Sequence, residues 1–349
     1  MKRAVPRRLA AKGRSVRAVS LPCIAGLTLL VCLPGQPLMG QGGIVSDGPL
    51  VLEGLPTAGL MDALVCFDPA TGELGQCDAS ALPGPPPAKI AWVAQSGGDY
   101  TSPVTALTDV GTWCGTPSAT NPCLLRIAPG VFDVGSGQVE MQPYVDMQGS
   151  GQHNTTIKGS RCLGSPWFGV SMVLGASNAE LRDMTIENAC TSGSSYTAAL
   201  YNASSDSPRL TRVTIKASGP GLITTIHNNA SSSPTLTNVN VVASGSGTSE
   251  GMYSYNGCDP VVIHSTIAAV GTGANYGVFT KTSSDATIEH STVIGSSNTI
   301  VNDSAGATAD IFASRLIGGP TLGQLGGTAP SCAGVTDENN TFYASACPP

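Results

Sequence analysis

Four stretches decide the fold: SPRLTRVTI (207–215), SPTLTNVNV (233–241), DPVVIHSTI (259–267) and DATIEHSTV (285–293). Each begins 26 residues after the one before. Looser copies, NAELRDMTI and ADIFASRLI, begin at Asn178 and Ala309. Segments so rich in Val, Ile, Thr, Gly and Ser do not suit a helical repeat; they suit strand–turn–strand coils stacked in parallel. The expected fold is all-β, a single-stranded right-handed parallel β-helix over residues 89–319, with neighbouring coils about 4.8 Å apart.

The 26-residue register sorts side chains into columns. Leu210, Leu236, Val262 and Ile288 share one, and Ile215, Val241, Ile267 and Val293 another. A further strand in each coil supplies Leu200, Ile226, Met252 and Val278, and two positions later Asn202, Asn228, Ser254 and Thr280. Period-two alternation turns both of these last sets inward, as an aliphatic stack and a polar ladder. Each buried aliphatic contributes about 1.5–3 kcal/mol of transfer free energy. A solenoid exposes its core and its unpaired edges at both ends. Residues 320–349 lose the repeat, become rich in Gly and Pro, and are expected to cap one end.

Outside the repeat, the N-terminus reads as an export signal over residues 1–42. Lys2, Arg3, Arg7, Arg8, Lys12, Arg14 and Arg17 precede an apolar run, Leu21–Leu33, too short to span a bilayer comfortably. Small residues follow at Gly40, Gly42 and Gly43. An exported protein, extracellular or periplasmic and of bacterial character, with no membrane span after cleavage, is expected. Residues 43–81 contain CFDPATGELGQC (66–77), two apolar arms around turn residues, read as a small hairpin closed by a disulfide. LPGPPP begins a stiff linker over 82–88.

Composition agrees. Charged residues are 11% of the 349, the net charge is −6, and hydrophobic residues reach 41% with 43 Gly. That excludes a disordered chain and leaves no basic footprint for nucleic acid. Nine cysteines lie beyond the leader, and local spacing pairs Cys66–Cys77, Cys114–Cys123, Cys162–Cys190 and Cys332–Cys347, leaving Cys258 single. No Cys/His spacing suggests zinc, and no metal or cofactor is expected.

Three stretches carry a family resemblance: VAQSGGDYT (93–101), LRIAPGVF (125–132), and YVDMQGSG (144–151) with TTIKG (155–159). In order they resemble the opening strand, the turn and an early coil of the pectin-lyase-like superfamily, most closely its pectinesterase branch. The resemblance covers roughly residues 90–160 by motif and implies the β-helix fold and a carbohydrate-facing ancestry. Catalytic motifs of pectinesterases, polygalacturonases and pectate lyases are not found, so it implies no activity.

The candidate ligand-binding residues are Tyr201, His227, Tyr253 and Phe279, one position after the buried aliphatic column and therefore expected to face outward, with Tyr255 on the same face. Stacked aromatics on a flat sheet suit the apolar faces of sugar rings; they also suit cross-coil packing with no ligand at all. Arg212, Asn238, His264 and His290 form a polar column in which two imidazoles could share a metal or proton, although a solvated column explains it as well. Asp259 and Asp285 open successive coils as calcium ligands or as turn residues. Five Asn-x-Ser/Thr sequons, at Asn154, Asn202, Asn229, Asn302 and Asn339, read as chance in such a composition.

Three functions compete: a non-catalytic β-helix binding a polysaccharide or cell-surface glycan or another surface partner, a polysaccharide-active esterase or lyase, and a structural part of a surface fibre or adhesin.

Overall fold

A computed structural model describes residues 65–67, 74–76, 87, 89–162, 171–191, 196–324, 327–345 and 347–348. The leader and the Cys66–Cys77 pairing lie outside the described residues. The chain divides into two units, Met1–Gly84 and Pro85–Pro349. In the first, strands Val65–Phe67 and Leu74–Gln76 pair antiparallel with Cys66 opposite Gly75, so the backbone is a hairpin.

The second unit is a β-solenoid of about seven turns with coils of roughly 26 residues. Three parallel sheets run its length. The first starts at Lys89–Val93 and ends at Ser331–Ala333. The second starts at Gly130–Asp133 and ends at Val335–Thr336. The third has eight strands, from Val139–Glu140 to Thr321–Gln324. The expected register holds in the repeat: Leu210 pairs with Leu236, Leu236 with Val262 and Val262 with Ile288. Before it, a coil takes 29 positions between Asp183 and Arg212; after it, one takes 23 between Ser291 and Ser314. Ala309 therefore pairs with Ala286, and the last copy is displaced by one residue from the start expected for it.

The interior is an aliphatic stack. Leu200, Ile226, Met252 and Val278 are fully buried beside Ile215, Val241, Ile267 and Val293. The polar ladder lies inside as well. Asn202 Nδ2 donates to Asn228 Oδ1 at 2.8 Å, and Asn228 Nδ2 donates to Ser254 Oγ at 3.2 Å. Further along, Thr280 donates to Asn302 Oδ1 at 2.6 Å, and Asn302 donates to the Thr328 carbonyl. Asn202 and Asn302, both sequon residues, are thus wholly committed to the core. Gly175 precedes Asn202 in this column, and a Cβ there would overlap the Asn202 amide oxygen.

A second ladder was not anticipated. Ser265, Ser291 and Ser314 each accept a backbone N–H from the preceding coil at 3.0 Å. Cys258 occupies a serine column, between Ser232 and Ser284; its amide donates to Ser284 Oγ, and its free, buried thiol donates to the Tyr255 carbonyl. Burial raises the pKa of that thiol, which disfavours the reactive thiolate.

Arg212, Asn238, His264 and His290 sit at the corner joining the first sheet to the second, and each is left-handed, with φ of 52°, 55°, 49° and 48°. Asn and His tolerate that conformation better than most L-residues. Much of this column is therefore explained by the backbone. The exposed His264 and His290 rings lie 5.2 Å apart, and among the described residues no group of three or more His, Cys, Asp or Glu is placed to hold a metal. Asp259 takes part in a cross-coil ladder: Ser207 Oγ accepts the Ser233 amide, Ser233 Oγ accepts the Asp259 amide, and the Asp259 carboxylate accepts the Asp285 amide at 3.3 Å.

At the N-terminal end the short helices Pro103–Thr108 and Val110–Trp113 close the first coil, Ala106 and Leu107 entering the core and Trp113 Nε1 donating to the Ala106 carbonyl. At the other end the solenoid runs on past the boundary expected at residue 320. Thr321–Gln324 extends the third sheet and Ser331–Ala333 the first. Only then does Phe342–Tyr343 turn back antiparallel on Val335–Thr336. Disulfides join Cys114–Cys123, Cys162–Cys190 and Cys332–Cys347, three of the four pairings expected from spacing. Among the described residues no helix is long and apolar enough to cross a membrane.

Candidate functional site

The third sheet carries the candidate residues on its outer face. In register across successive strands stand Glu140, Leu174, Tyr201, His227, Tyr253 and Phe279. All follow a buried aliphatic by one position, so alternation turns them away from the bore. Facing outward does not leave them evenly exposed, however. Tyr201 and His227 keep only 6% and 3% of their surface exposed, whereas Tyr253, Tyr255 and Phe279 are half-buried.

The burial has a packing cause. His227 meets Tyr201 edge-on at 5.1 Å and Tyr253 edge-on at 5.0 Å. The Tyr196 hydroxyl bonds to His227 Nδ1 at 2.8 Å, and Asn229 Nδ2 donates to the Tyr201 hydroxyl at 3.1 Å. His227 Nε2 is buried with no hydrogen-bond partner. Desolvation drives the His227 pKa down to about 4, so the ring is neutral near pH 7.

Beyond His227 the rings open outward. Tyr253 stacks on Tyr255 at 6.3 Å and meets Phe279 at 5.5 Å, and Phe279 meets Tyr276 edge-on at 5.6 Å. Beside them Lys281 pairs with Asp303 at 3.0 Å. At the foot of the row, past Tyr201, is a cavity of about 540 Å³ lined by Glu140, Gln142, Tyr201, Asp206 and Asn229, among others.

One residue on this face escaped the sequence reading altogether. Glu250 has the same parity as Met252 and Ser254, and strict alternation would bury it in the bore. Instead Gly251 breaks the alternation: a Cβ there would strike Ile267 in the core, while Glu250 lies outside, accepting from Thr224 Oγ1 at 2.6 Å. The equivalent positions, Ala199, Thr225 and Gly277, all fall out of the pairing register. The signal lay in the column Thr224, Glu250, Tyr276: three outward-type residues at 26-residue spacing, two of them polar or charged. Burial raises the Glu250 carboxyl to about 7, against the opposing pull of the Thr224 hydrogen bond and the Lys281 charge. Burial, and then the Glu250 charge, push the Tyr196 and Tyr253 hydroxyls up.

A β-solenoid with one aromatic outer face defines the class of molecule. Comparison with solved structures shows that the chain shares the right-handed parallel β-helix fold, of the pectin-lyase-like kind. A pectin methylesterase mutant in complex with a hexasaccharide matches with a TM-score of 0.51 at 11% identity, over 76% of this chain and 93% of that chain. PemA, the pectin methylesterase of Erwinia chrysanthemi, matches at 0.45 and 12% identity over 76% and 86%. The carrot pectin methylesterase matches at 0.40 and 14% over 72% and 82%. At such identities the likeness establishes the fold alone. No family model matches the chain, and neither does any curated protein.

Proposed function

We propose that the protein is an exported, non-catalytic β-helix that binds a polysaccharide or cell-surface glycan along the outer face of its third sheet. The observation that carries this is the half-buried row Tyr255, Tyr253, Phe279 and Tyr276, with ring contacts of 5.5–6.3 Å and the Lys281–Asp303 pair alongside. Flat apolar faces beside polar groups are what a sugar ring stacks on and hydrogen-bonds to. Export is supported by the basic and apolar leader and by three disulfides, which persist in oxidising compartments. The experiment is a polysaccharide array followed by calorimetry on whatever binds. Tyr253→Ala and Phe279→Ala are each expected to weaken binding at least tenfold. Binding that survives both substitutions unchanged would remove this face from consideration.

A second reading, a polysaccharide-active esterase or lyase, is favoured by Glu250, an acid poised near neutrality beside the row. It requires methanol release or unsaturated products from pectin or related uronates, abolished by Glu250→Gln. Absence of turnover on all of them would leave it without support.

A further inference from the structure

A separate cavity lies on the outer face of the first sheet, near its N-terminal end. The sheet opens on Lys89–Val93, where alternation buries Ala91 and Val93 and turns Ile90 and Trp92 outward. Trp92 keeps 45% of its surface exposed, so this indole forgoes most of the contact area that burial would supply. Its backbone is nonetheless pinned. The Trp92 N–H donates to Asp99 Oδ2 at 2.8 Å, and the Trp92 carbonyl accepts the Tyr100 N–H at 3.0 Å. Both groups that a further strand would pair with at this point are taken, so the open ring does not mark an edge awaiting another strand.

In register after Trp92 come Arg126, Gln148 and Arg182. The Arg126 guanidinium lies over the indole, 5.1 Å from its centroid, and no carboxylate of the described residues pairs with it. The charges beside it are matched: Arg182 pairs with Glu180 at 2.8 Å, and Asp183 accepts twice from Arg212, at 2.7 and 3.0 Å. Gln148 bridges these pairs, donating to Asp183 and accepting from Arg182, each at 3.4 Å. Trp92, Arg126, Gln148, Ser150 and Asp183 line one cavity of about 360 Å³. That lies toward the small end of the range for ligand pockets, about 300–1,000 Å³.

We propose that this cavity is a second saccharide site, distinct from the third-sheet row, and that it takes a short neutral segment of a glycan. Its lining offers a donor in Arg126, an acceptor in Asp183, and in Gln148 an amide that does both. A carboxylate ligand would meet Asp183, and an ammonium ligand would meet Arg126. A hydroxyl donates and accepts, so a polyol satisfies both groups and brings no charge of its own. The exposed indole supplies the apolar face on which a pyranose stacks. The pinned backbone and the stacked guanidinium hold that face in position before a ligand arrives, which lowers the ordering cost of binding.

The test titrates the full chain with neutral oligosaccharides of glucose, xylose, galactose and N-acetylglucosamine, and with an oligogalacturonate, following tryptophan emission and heat. Combining Tyr253→Ala with Phe279→Ala removes the third-sheet row, so what still binds reports the first sheet alone. In that background at least one neutral oligosaccharide is expected to release heat and shift the emission, with the same affinity at 20 and 200 mM NaCl because no ion pair forms. Adding Trp92→Ala is expected to abolish the heat as well as the emission change. Adding Arg126→Gln, a change on the exposed surface, is expected to weaken binding at least tenfold, and a urea midpoint for each variant shows that it is folded. Neutral binding untouched by both substitutions would place it elsewhere and overturn the proposal. Binding of the oligogalacturonate alone, falling steeply with salt, would assign the cavity to an anion and overturn it too. So would silence from every neutral oligosaccharide in the background variant, whereas loss of binding only on removing the row would leave the third-sheet reading standing.

Discussion

Glu250 and His227 occupy neighbouring coils of one face, and burial pushes them in opposite directions. His227 takes its proton at about 4 when folded against an ordinary 6.5, so the unfolded chain protonates first and stability is lost as the pH falls from 6.5 through 4. Glu250 holds its proton to about 7 against an ordinary 4.5, so its contribution is lost as the pH rises from 4.5 through 7. Each shift corresponds to about 3 kcal/mol at its limit. Between pH 4.5 and 6.5 the two slopes oppose one another. Relative to the parent, Glu250→Gln should gain stability with rising pH across that window, and His227→Gln should lose it, as read from urea midpoints at pH 4.5, 5.5 and 6.5. Parallel profiles for all three proteins would mean that neither group is buried in the state described. His227 was legible in the sequence because it interrupts an aromatic column. Glu250 was not, because parity alone puts it with Met252.

At the scale of the element, the strands obey period two over most of their length and break it where the third sheet begins. The aliphatic and Asn/Ser/Thr columns could be read directly, since inward positions repeat at 26 residues and tolerate few residue types. The break at Gly251 and Gly277 could not, because a glycine in a strand signals close approach without saying which side the next residue takes. The corner column of Asn238, His264 and His290 read in the sequence as a solvated polar column with a shared site as its alternative, and all three residues take the left-handed conformation at that corner. The inner ladder makes a sharp prediction. Asn228→Ala removes both the acceptor of Asn202 and the donor to Ser254, and both of those partners are fully buried. A loss of about 1–3 kcal/mol is expected for the orphaned amide alone, measured by chemical denaturation. A loss below ~0.5 kcal/mol, the range of an ordinary surface change, would show that the ladder is not a stabilising element.

Across the whole molecule, each coil touches only its neighbours, so the ends decide how the stack survives. The Cys332–Cys347 bridge closes a loop with a sequence separation of 15 behind the last strands of the first and second sheets. Replacing both by Ser should cost about 3 kcal/mol through loop-closure entropy. The damage should be local: amide exchange should quicken in Ser331–Ala333 and Val335–Thr336 while Thr235–Thr237, several coils away, keeps its protection. Uniform loss of protection along the solenoid would contradict nearest-neighbour coupling. The sequence by itself determined the parallel β-helix, its coil length and its inner columns, because an interior repeated every 26 residues constrains residue type at each position; local spacing suggested the three disulfide pairings that the structure shows. Only the tertiary structure decided which outward residues stay open, that Tyr201 and His227 are shielded, that Glu250 joins their face, and that one further coil follows residue 320. Those outcomes depend on contacts between neighbouring coils and on where the alternation breaks, and neither is written in the spacing of any single strand.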